Sequence, residues 1–340
     1  MLRFLSSLFS PTAERAKGLD EALIEAATER AVDGTDRRIR AIGQYRKRLR
    51  QPVELTVAHV ISLVDALSPP IEISPRAFSE DSRLRAFFVS TDHLREVLGS
   101  LKTVRNYLTD LTPAPKKIFG LLNMAMEERK VFGVELVGDT LRRDVMQVTV
   151  NFSNHRYIGP TSNELDTRRE LKKRAFDFLI EKALERIAGE RSKQMELDRQ
   201  RHLLKLKLDA MKAGNWGLNA MLTDLEQQCP DFAALETEIE AINVELGQFH
   251  TDNISLEASL ACVADTLSHP ADWLASREIT LRLDSMGIKI QAASAAAARE
   301  IVLTEIFSGA EIRRIILLGY IAPADIPEPS DPLREAQRYL

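Results

Sequence analysis

The spacing of apolar residues divides the chain into helical and extended stretches. From residue 12 to about 130 apolar positions recur roughly every 3.6 residues, which predicts a helical region with short breaks. The predicted helices cover residues 13–32, 35–50, a segment that opens with Pro52, 80–109 and 114–130. Pro52 is assigned to a first helical turn, where its missing N–H costs nothing. Residues 71–75 are predicted to be extended.

An alternation of apolar and polar positions replaces the helical period in two places. Residues 131–137 and 146–152 alternate on either side of a turn at Gly138, which predicts an antiparallel hairpin. The alternation returns over residues 279–290, 301–307 and 312–321. About six strands are an ordinary number for one sheet, so both groups are predicted to share a sheet.

Residues 164–268, between the two strand groups, are predicted to be helical almost throughout. Gly214-Asn215-Trp216-Gly217 supplies the only clear turn, and it leaves two arms of roughly 45 to 50 residues, far longer than average globular helices. In the second arm apolar residues step by four and three residues, the spacing of a heptad seam. The seam residues of that arm are Leu235, Ile239, Ile242, Leu246 and Phe249, and those of the first arm are Leu197, Leu204, Leu208 and Met211.

These patterns predict an α+β fold that is predominantly helical. An N-terminal helical domain is joined to a small, mostly antiparallel sheet, and a long antiparallel coiled-coil hairpin interrupts that sheet. The predicted parts are an N-terminal segment 1–11, a helical domain 12–130, a discontinuous β-rich domain 131–163 and 277–321, the hairpin 164–268, and a Pro-rich C-terminal tail 322–340.

Composition narrows the protein class and the compartment. Of the 340 residues, 44% are hydrophobic and 28% charged, which is enough apolar side chain for a core and excludes wholesale disorder. Only two cysteines occur, Cys229 and Cys262, which favours a reducing compartment. The N-terminal ten residues are too short for a secretory signal, and no run of 18 apolar residues predicts a transmembrane span. We therefore expect a cytoplasmic protein.

The two arms of the predicted hairpin carry opposite charge. Residues 213–276 contain eleven acids and neither Lys nor Arg, whereas residues 168–212 contain fourteen bases and eight acids. One explanation is that the arms pair with each other, so that the charges favour the antiparallel hairpin. The other is that one face remains free as a docking surface. Under the second interpretation the candidate partner-binding residues are Trp216 at the tip and Glu236, Glu240 and Glu245.

A basic segment at residues 35–50 offers a second candidate surface. It holds seven bases and one acid, and a helical arrangement would place Arg37, Arg40, Lys47 and Arg48 opposite an apolar face. Such a face could bind the phosphates of nucleic acid or of an anionic membrane. Alternatively, these arginines pair with acids of residues 13–32 or of the acidic arm.

Catalytic motifs are scarce. The sequence has no Walker A motif, GxGxxG, GxSxG, HExxH or CxxC, and it predicts no metal site and no cofactor. The most site-like cluster is residues 151–157, which include His155 and Tyr157, at the predicted end of a strand. Asn and Ser also favour turns, so a structural role is the alternative.

A helical hairpin offers reach and a docking face but no pocket, so the sequence favours a function in protein–protein interaction. We expect a non-enzymatic cytoplasmic scaffold or adaptor whose charged hairpin contacts a protein partner. Two alternatives remain: a nucleic-acid or anionic-membrane binder that uses residues 35–50, and an enzyme with a site near His155.

Overall fold

The computed structural model describes residues 21–110, 113, 115–137, 140–212, 232–249, 254–284, 286–290, 298–309 and 312–327. The chain forms two compact units. One unit contains residues 57–176 and those from 270 onward, and the other contains residues 20–56 and 177–269.

Helices form most of the described chain. Their bounds are α1 Glu21–Gly34, α2 Tyr45–Asp65, α3 Pro75–Glu80, α4 Ser82–Phe87, α5 Thr91–Ser100, α6 Lys102–Thr109, α7 Glu164–Lys212, α8 Phe232–Phe249, α9 Ile254–Ser268 and α10 Pro270–Trp273. Short 3-10 helices cover Arg37–Ala41 and Pro323–Asp325. The short helices α3, α4 and α5 are capped at their N-termini by Ser74, Asp81 and Ser90, whose side chains accept hydrogen bonds from backbone N–H groups of the first turn.

In the described part of the chain, six strands form one sheet. They are β1 Ile71–Glu72, β2 Ile118–Val137, β3 Thr140–Thr161, β4 Ala275–Leu283, β5 Arg299–Ser308 and β6 Ile312–Ile321. The main order is β3-β2-β6-β5-β4 with antiparallel neighbours, and β1 pairs in parallel with the end of β6. The two strand groups therefore belong to one sheet, as the alternation predicts.

A short segment, residues 287–290, connects the two outer strands of this sheet. On one side, the Val150 N–H donates to the Gly287 carbonyl and the Lys289 N–H donates to the Val148 carbonyl, both at 2.8 Å. On the other side, the Ile290 N–H donates to the Arg282 carbonyl of β4 at 2.8 Å. The sheet thus curls until β3 and β4 are bridged by one piece of backbone.

The inner face of the curled sheet carries the core of the first unit. Alternate residues of each strand point inward, and those that are almost fully buried include Leu122, Met124, Leu281, Leu303 and Ile315. Helices α4 and α6 pack on this sheet through contacts with β3, and α4 also contacts β5. Burial of this face fixes the register of the strands, because a slip of one residue would expose it.

In the second unit, α7 and α8 pack antiparallel. Leu208 of α7 clusters with Leu235 and Ile239 of α8, and Leu197 of α7 clusters with Ile242 and Leu246. As residue numbers increase along α7, the numbers of the residues that they contact in α8 decrease, so the two helices run in opposite directions. These six belong to the predicted seam, whereas the side chains of Met211 and Phe249 lie outside the described ones. The predicted fold class is confirmed.

Two predicted helices are wrong. In place of the helix predicted over 114–130, residues 118–137 form β2, which pairs with β3 along nearly its whole length and with β6 over residues 118–124. Leu, Met and Glu favour helices locally, but the two rows of backbone hydrogen bonds and the burial of Leu122 and Met124 outweigh that preference.

The segment around Pro52 also differs from its prediction. Instead of one helix over 35–50 and another that opens with Pro52, a 3-10 helix at Arg37–Ala41 precedes a single helix α2 that runs through Pro52. A proline inside a helix costs about 3 kcal/mol. Here Leu49, Val53 and Val57 are fully buried on one face of α2, and this packing offsets the cost.

Candidate functional site

A line of exposed apolar side chains runs along α7. Leu184, Met195 and Leu206 follow one another at intervals of eleven residues, and their exposed fractions are 40%, 73% and 52%. Eleven residues make slightly more than three turns of helix, so the three side chains lie on the same side of α7. The 22 residues between Leu184 and Leu206 span about 33 Å.

This line lies on the side of α7 that faces away from α8. Two residues beyond Met195, Leu197 is buried in the seam, and two residues beyond Leu206, Leu208 is buried in it as well. A step of two residues is a rotation of about 200°, so the exposed line is opposite the seam. Leu203, 53% exposed, lies beside it. We call Leu184, Met195, Leu203 and Leu206 the outer apolar stripe.

The charge around the distal part of this stripe is basic. Residues 199–212 hold five Lys or Arg and one acid, Asp209. Arg199 is exposed one turn beyond Met195 and lies 3.9 Å from Glu196, and Lys205 is also exposed. The distal part of the outer apolar stripe, at Leu203 and Leu206, therefore combines exposed hydrophobic surface with neighbouring basic side chains.

The outer apolar stripe was not predicted from the sequence, although the eleven-residue spacing of Leu184, Met195 and Leu206 is visible in it. The seam and the stripe both consist of Leu and Met, so periodicity alone does not tell which line of residues meets the partner helix.

The predicted acidic residues lie on α8. Glu236 and Glu240 are exposed, and the Glu245 carboxylate lies 2.7 Å from the Lys193 ammonium of α7. Arg186 of α7 similarly lies 2.8 Å from Asp265 of α9. Charge pairing between the arms, the first of the two explanations, thus occurs at these positions. Trp216 lies outside the described residues.

In the basic segment, most of the arginines are paired. Arg40 lies 2.9 Å from Glu29 and 3.0 Å from Asp33, and Arg37 lies 3.4 Å from Asp33. Arg48 lies 2.5 Å from Glu257. These are the partners expected from the structural alternative, namely the preceding acidic helix and the acidic arm.

Lys47, the fourth of the predicted anion-binding residues, is exposed on α2. A phosphate that bound to this segment would have to compete with the acids for the three arginines. The ion pairs also extend to Asp36, whose carboxylate accepts from Arg38 and Arg191 and caps the 3-10 helix. Hydrogen bonds from these arginines hold the pKa of Asp36 well below its usual range.

His155 does not lie at the end of a strand, as the sequence suggests. It lies inside β3 beside Asn154, at a bulge where two residues of β3 oppose one residue of β2. Asn154 has a positive φ of 54°, a conformation that Asn adopts more readily than most residues. The prediction failed because the residues typical of a turn here form a bulge.

The surroundings of His155 are aromatic. Its ring stacks on Phe88 at a centroid distance of 4.8 Å, and its Nε2 lies 3.1 Å from the Phe87 carbonyl oxygen. Burial lowers the pKa of His155 to about 4. A neutral imidazole that donates from Nε2 to this carbonyl explains the arrangement, and it leaves the ring in a packing role.

Tyr157 is equally structural. It is almost fully buried, and its hydroxyl lies 2.9 Å from the carbonyl oxygens of Ile118 and Gly319, on the strands β2 and β6. Its ring fills the space beside Gly120, where a Cβ atom would lie 2.3 Å from a ring carbon. Tyr157 therefore ties three strands together and is not available to a substrate.

The described residues contain no group of three His, Cys, Asp or Glu residues placed to hold a metal ion. None of the helices in the described ranges combines the length and apolar character needed to cross a membrane. Comparison of the chain with known protein families, with curated proteins and with solved structures finds no match.

Proposed function

We propose that this protein is a non-enzymatic scaffold or adaptor of the cytoplasm, and that it binds a protein partner through the hairpin formed by α7 and α8. The observation that carries the proposal is the outer apolar stripe, four large apolar side chains that are 40% or more exposed on one helix. Scattered exposed apolar residues are ordinary, but a line of them about 33 Å long marks an interaction surface.

The partner that fits this surface is an amphipathic helix with acidic flanks. Its apolar side chains would cover Met195 and Leu206, and its carboxylates would meet Arg199 and Lys205. This mode of recognition uses the i, i+3, i+4 and i+7 positions of the incoming helix. Opposite charge at the border speeds association and selects against basic partners.

Site-specific photo-cross-linking in cells of the native host tests the proposal. A photoreactive phenylalanine analogue replaces Met195 in one variant and Leu206 in another. A third variant carries it at Val89, which is 91% exposed but distant in sequence from the hairpin. We expect both stripe positions, but not position 89, to capture the same partner through a segment in which apolar residues alternate with Asp or Glu at helical spacing.

Charge reversal provides the second readout. Arg199→Glu combined with Lys205→Glu should abolish the cross-link from position 195, whereas Arg129→Glu, an exposed residue of β2, should leave it unchanged. Capture at position 89 as strong as at 195 would contradict the proposal, as would a product that contains only two copies of this chain. If Glu236→Lys with Glu240→Lys removes binding and the α7 variants do not, the acidic arm is the contact surface instead.

The burial of α1 limits which variants can test the proposed binding surface. Removing the whole hairpin would expose α1, because Leu23, Ile24, Ala27 and Ala31 are buried in the same compact unit as residues 177–269. Exposed point substitutions test binding without that loss of folding.

A further inference from the structure

A cleft of about 460 Å³ opens on the inner face of the curled sheet. Apolar side chains from three strands line part of it: Met126 of β2, Ile279 and Leu281 of β4, and Ile315 of β6. Leu281 and Ile315 are almost fully buried in the core of the unit. The volume falls in the range of small-molecule sites, which are mostly apolar with a few convergent polar groups.

The rest of the lining is charged, with an excess of bases. Four bases and two acids contribute: Arg277, Lys289, Arg313 and Arg314, with Glu128 and Glu305. Both acids are engaged by ion pairs. The Lys289 ammonium lies 2.8 Å from the Glu128 carboxylate, and the Arg277 guanidinium lies 2.5 Å from that of Glu305.

Glu305 is the most unusual member of this group. Its side chain is only 4% exposed, and it lies directly opposite Arg277 in the β4–β5 ladder and opposite Ile315 in the β5–β6 ladder. A buried carboxylate needs a charged partner, so Glu305 holds the Arg277 guanidinium in place at the edge of the cleft. The Arg277 side chain remains 53% exposed and can still donate to a ligand.

Arg313 and Arg314 supply the surplus positive charge. Neither forms an ion pair with any residue in the described part of the chain, and Arg313 is exposed. Guanidinium groups recognise carboxylates through two parallel hydrogen bonds, and they do so better beside an apolar wall that excludes water.

We infer that this cleft binds a small amphipathic carboxylate. The carboxylate would be held by Arg313 with Arg277, and the aliphatic part would lie against Met126, Ile279 and Leu281. This site is independent of the proposed function, since its residues lie in one compact unit and the outer apolar stripe lies in the other.

Isothermal titration calorimetry of the full chain with octanoate tests the inference. We expect saturable binding at one site. Arg313→Ala should weaken it about tenfold, which corresponds to the loss of one charge-assisted contact. Arg129→Ala removes the same charge from β2 outside the cleft, and it should leave the affinity for octanoate unchanged. Octan-1-ol, which has the same chain without the charge, should not bind over the same concentrations.

Three results would overturn the inference: no binding of octanoate up to millimolar concentration, equal binding of octan-1-ol, or equal affinity of the Arg313→Ala variant and the unmodified protein. Because Arg313 is exposed, its replacement should leave the thermal unfolding midpoint unchanged. If the variant nevertheless unfolds, octanoate titration of Arg313→Gln, which removes the charge but keeps most of the side chain, decides the question by the same criterion.

Discussion

His155 shows how the surroundings of one side chain remove it from catalysis. Stacking on Phe88 and the contact of Nε2 with the Phe87 carbonyl bury the ring, and burial lowers its pKa to about 4. The stacking and the hydrogen bond hold the ring in a packing role against Phe87 and Phe88. Its residue type alone gave no indication of this.

The lowered pKa makes stability depend on pH in a defined direction. The unfolded chain binds a proton at His155 below about pH 6.5, whereas the folded chain does so only near pH 4, so unfolding takes up a proton between these values. The stabilisation is present above pH 6.5 and is lost as the pH falls toward 4. We expect the free energy of unfolding to drop by about 2 kcal/mol over this window, less than full burial would give.

The measurement is urea denaturation at several pH values of the unmodified protein and of His155→Gln, which retains an N–H donor. The difference between the two curves should shrink as the pH falls from 7 to 4. A profile of His155→Gln that is parallel to that of the unmodified protein would show that the ring is not buried as described.

Among the helices, the pairing of α7 with α8 depends on which side of each helix is apolar. Leu246 of α8 is 1% exposed in the seam, and Val244, two residues earlier on the opposite side, is 59% exposed. The heptad spacing predicted this difference. It did not predict that α7 would also carry apolar side chains on its outer side.

A matched pair of substitutions measures the contribution of the seam. Leu246→Ala should lower the free energy of unfolding by about 3 kcal/mol, because it removes buried methyl groups and leaves a cavity. Val244→Ala removes exposed groups and should change it by less than about 0.5 kcal/mol. Urea denaturation gives both values. Equal effects of the two changes would contradict the antiparallel seam, and amide hydrogen exchange across α8 would locate the difference.

Beyond single elements, the sheet depends on residues 287–290, which bridge its two outer strands. Gly287 adopts a φ of +77°, and a Cβ atom there would lie 3.2 Å from the Val150 carbonyl oxygen. Gly309 has a similar φ of +57°, but a Cβ atom there would meet nothing within 4 Å. Alanine substitution at either glycine therefore introduces the strain of a positive φ, but only substitution at Gly287 also introduces a steric contact with the bridge.

We expect Gly309→Ala to cost about 1 kcal/mol of backbone strain and Gly287→Ala about 2 kcal/mol, since the latter also disturbs the bridge. The distinguishing measurement is amide hydrogen exchange at Val150 and Lys289, which donate the two bonds across the bridge. Exchange at these amides should accelerate in Gly287→Ala only. Unchanged exchange in Gly287→Ala would show that the bridge does not depend on this glycine.

The fold class could be predicted because each of its signals is local and repeated. The alternation over residues 146–152 and the seam from Leu235 to Leu246 each extend over several periods. Burial of one side of the element therefore appears in the sequence as a regular spacing of apolar residues. The helix predicted over 114–130 was wrong because Leu, Met and Glu residues also suit a central strand when neighbours on both sides satisfy its backbone. Pro52 was predicted in a first helical turn but lies inside α2. The prediction was wrong because the tertiary contacts that bury one face of α2 cannot be read from neighbouring residues.

The chain's own pattern of apolar residues and charges established the α+β class, the interruption of one sheet by a helical hairpin, and the opposite charge of its arms. The first two features follow from periods of two, three and a half, and 3.6 residues, and the third follows from the composition of each arm. Neighbouring residues express both without any distant contact. The cleft, the packing of His155 and the bridge at Gly287 arose only on folding, because each brings together residues more than 60 positions apart. Contacts between residues so far apart in the sequence produce no periodic pattern, since they depend on the order of the strands and on the curvature of the sheet.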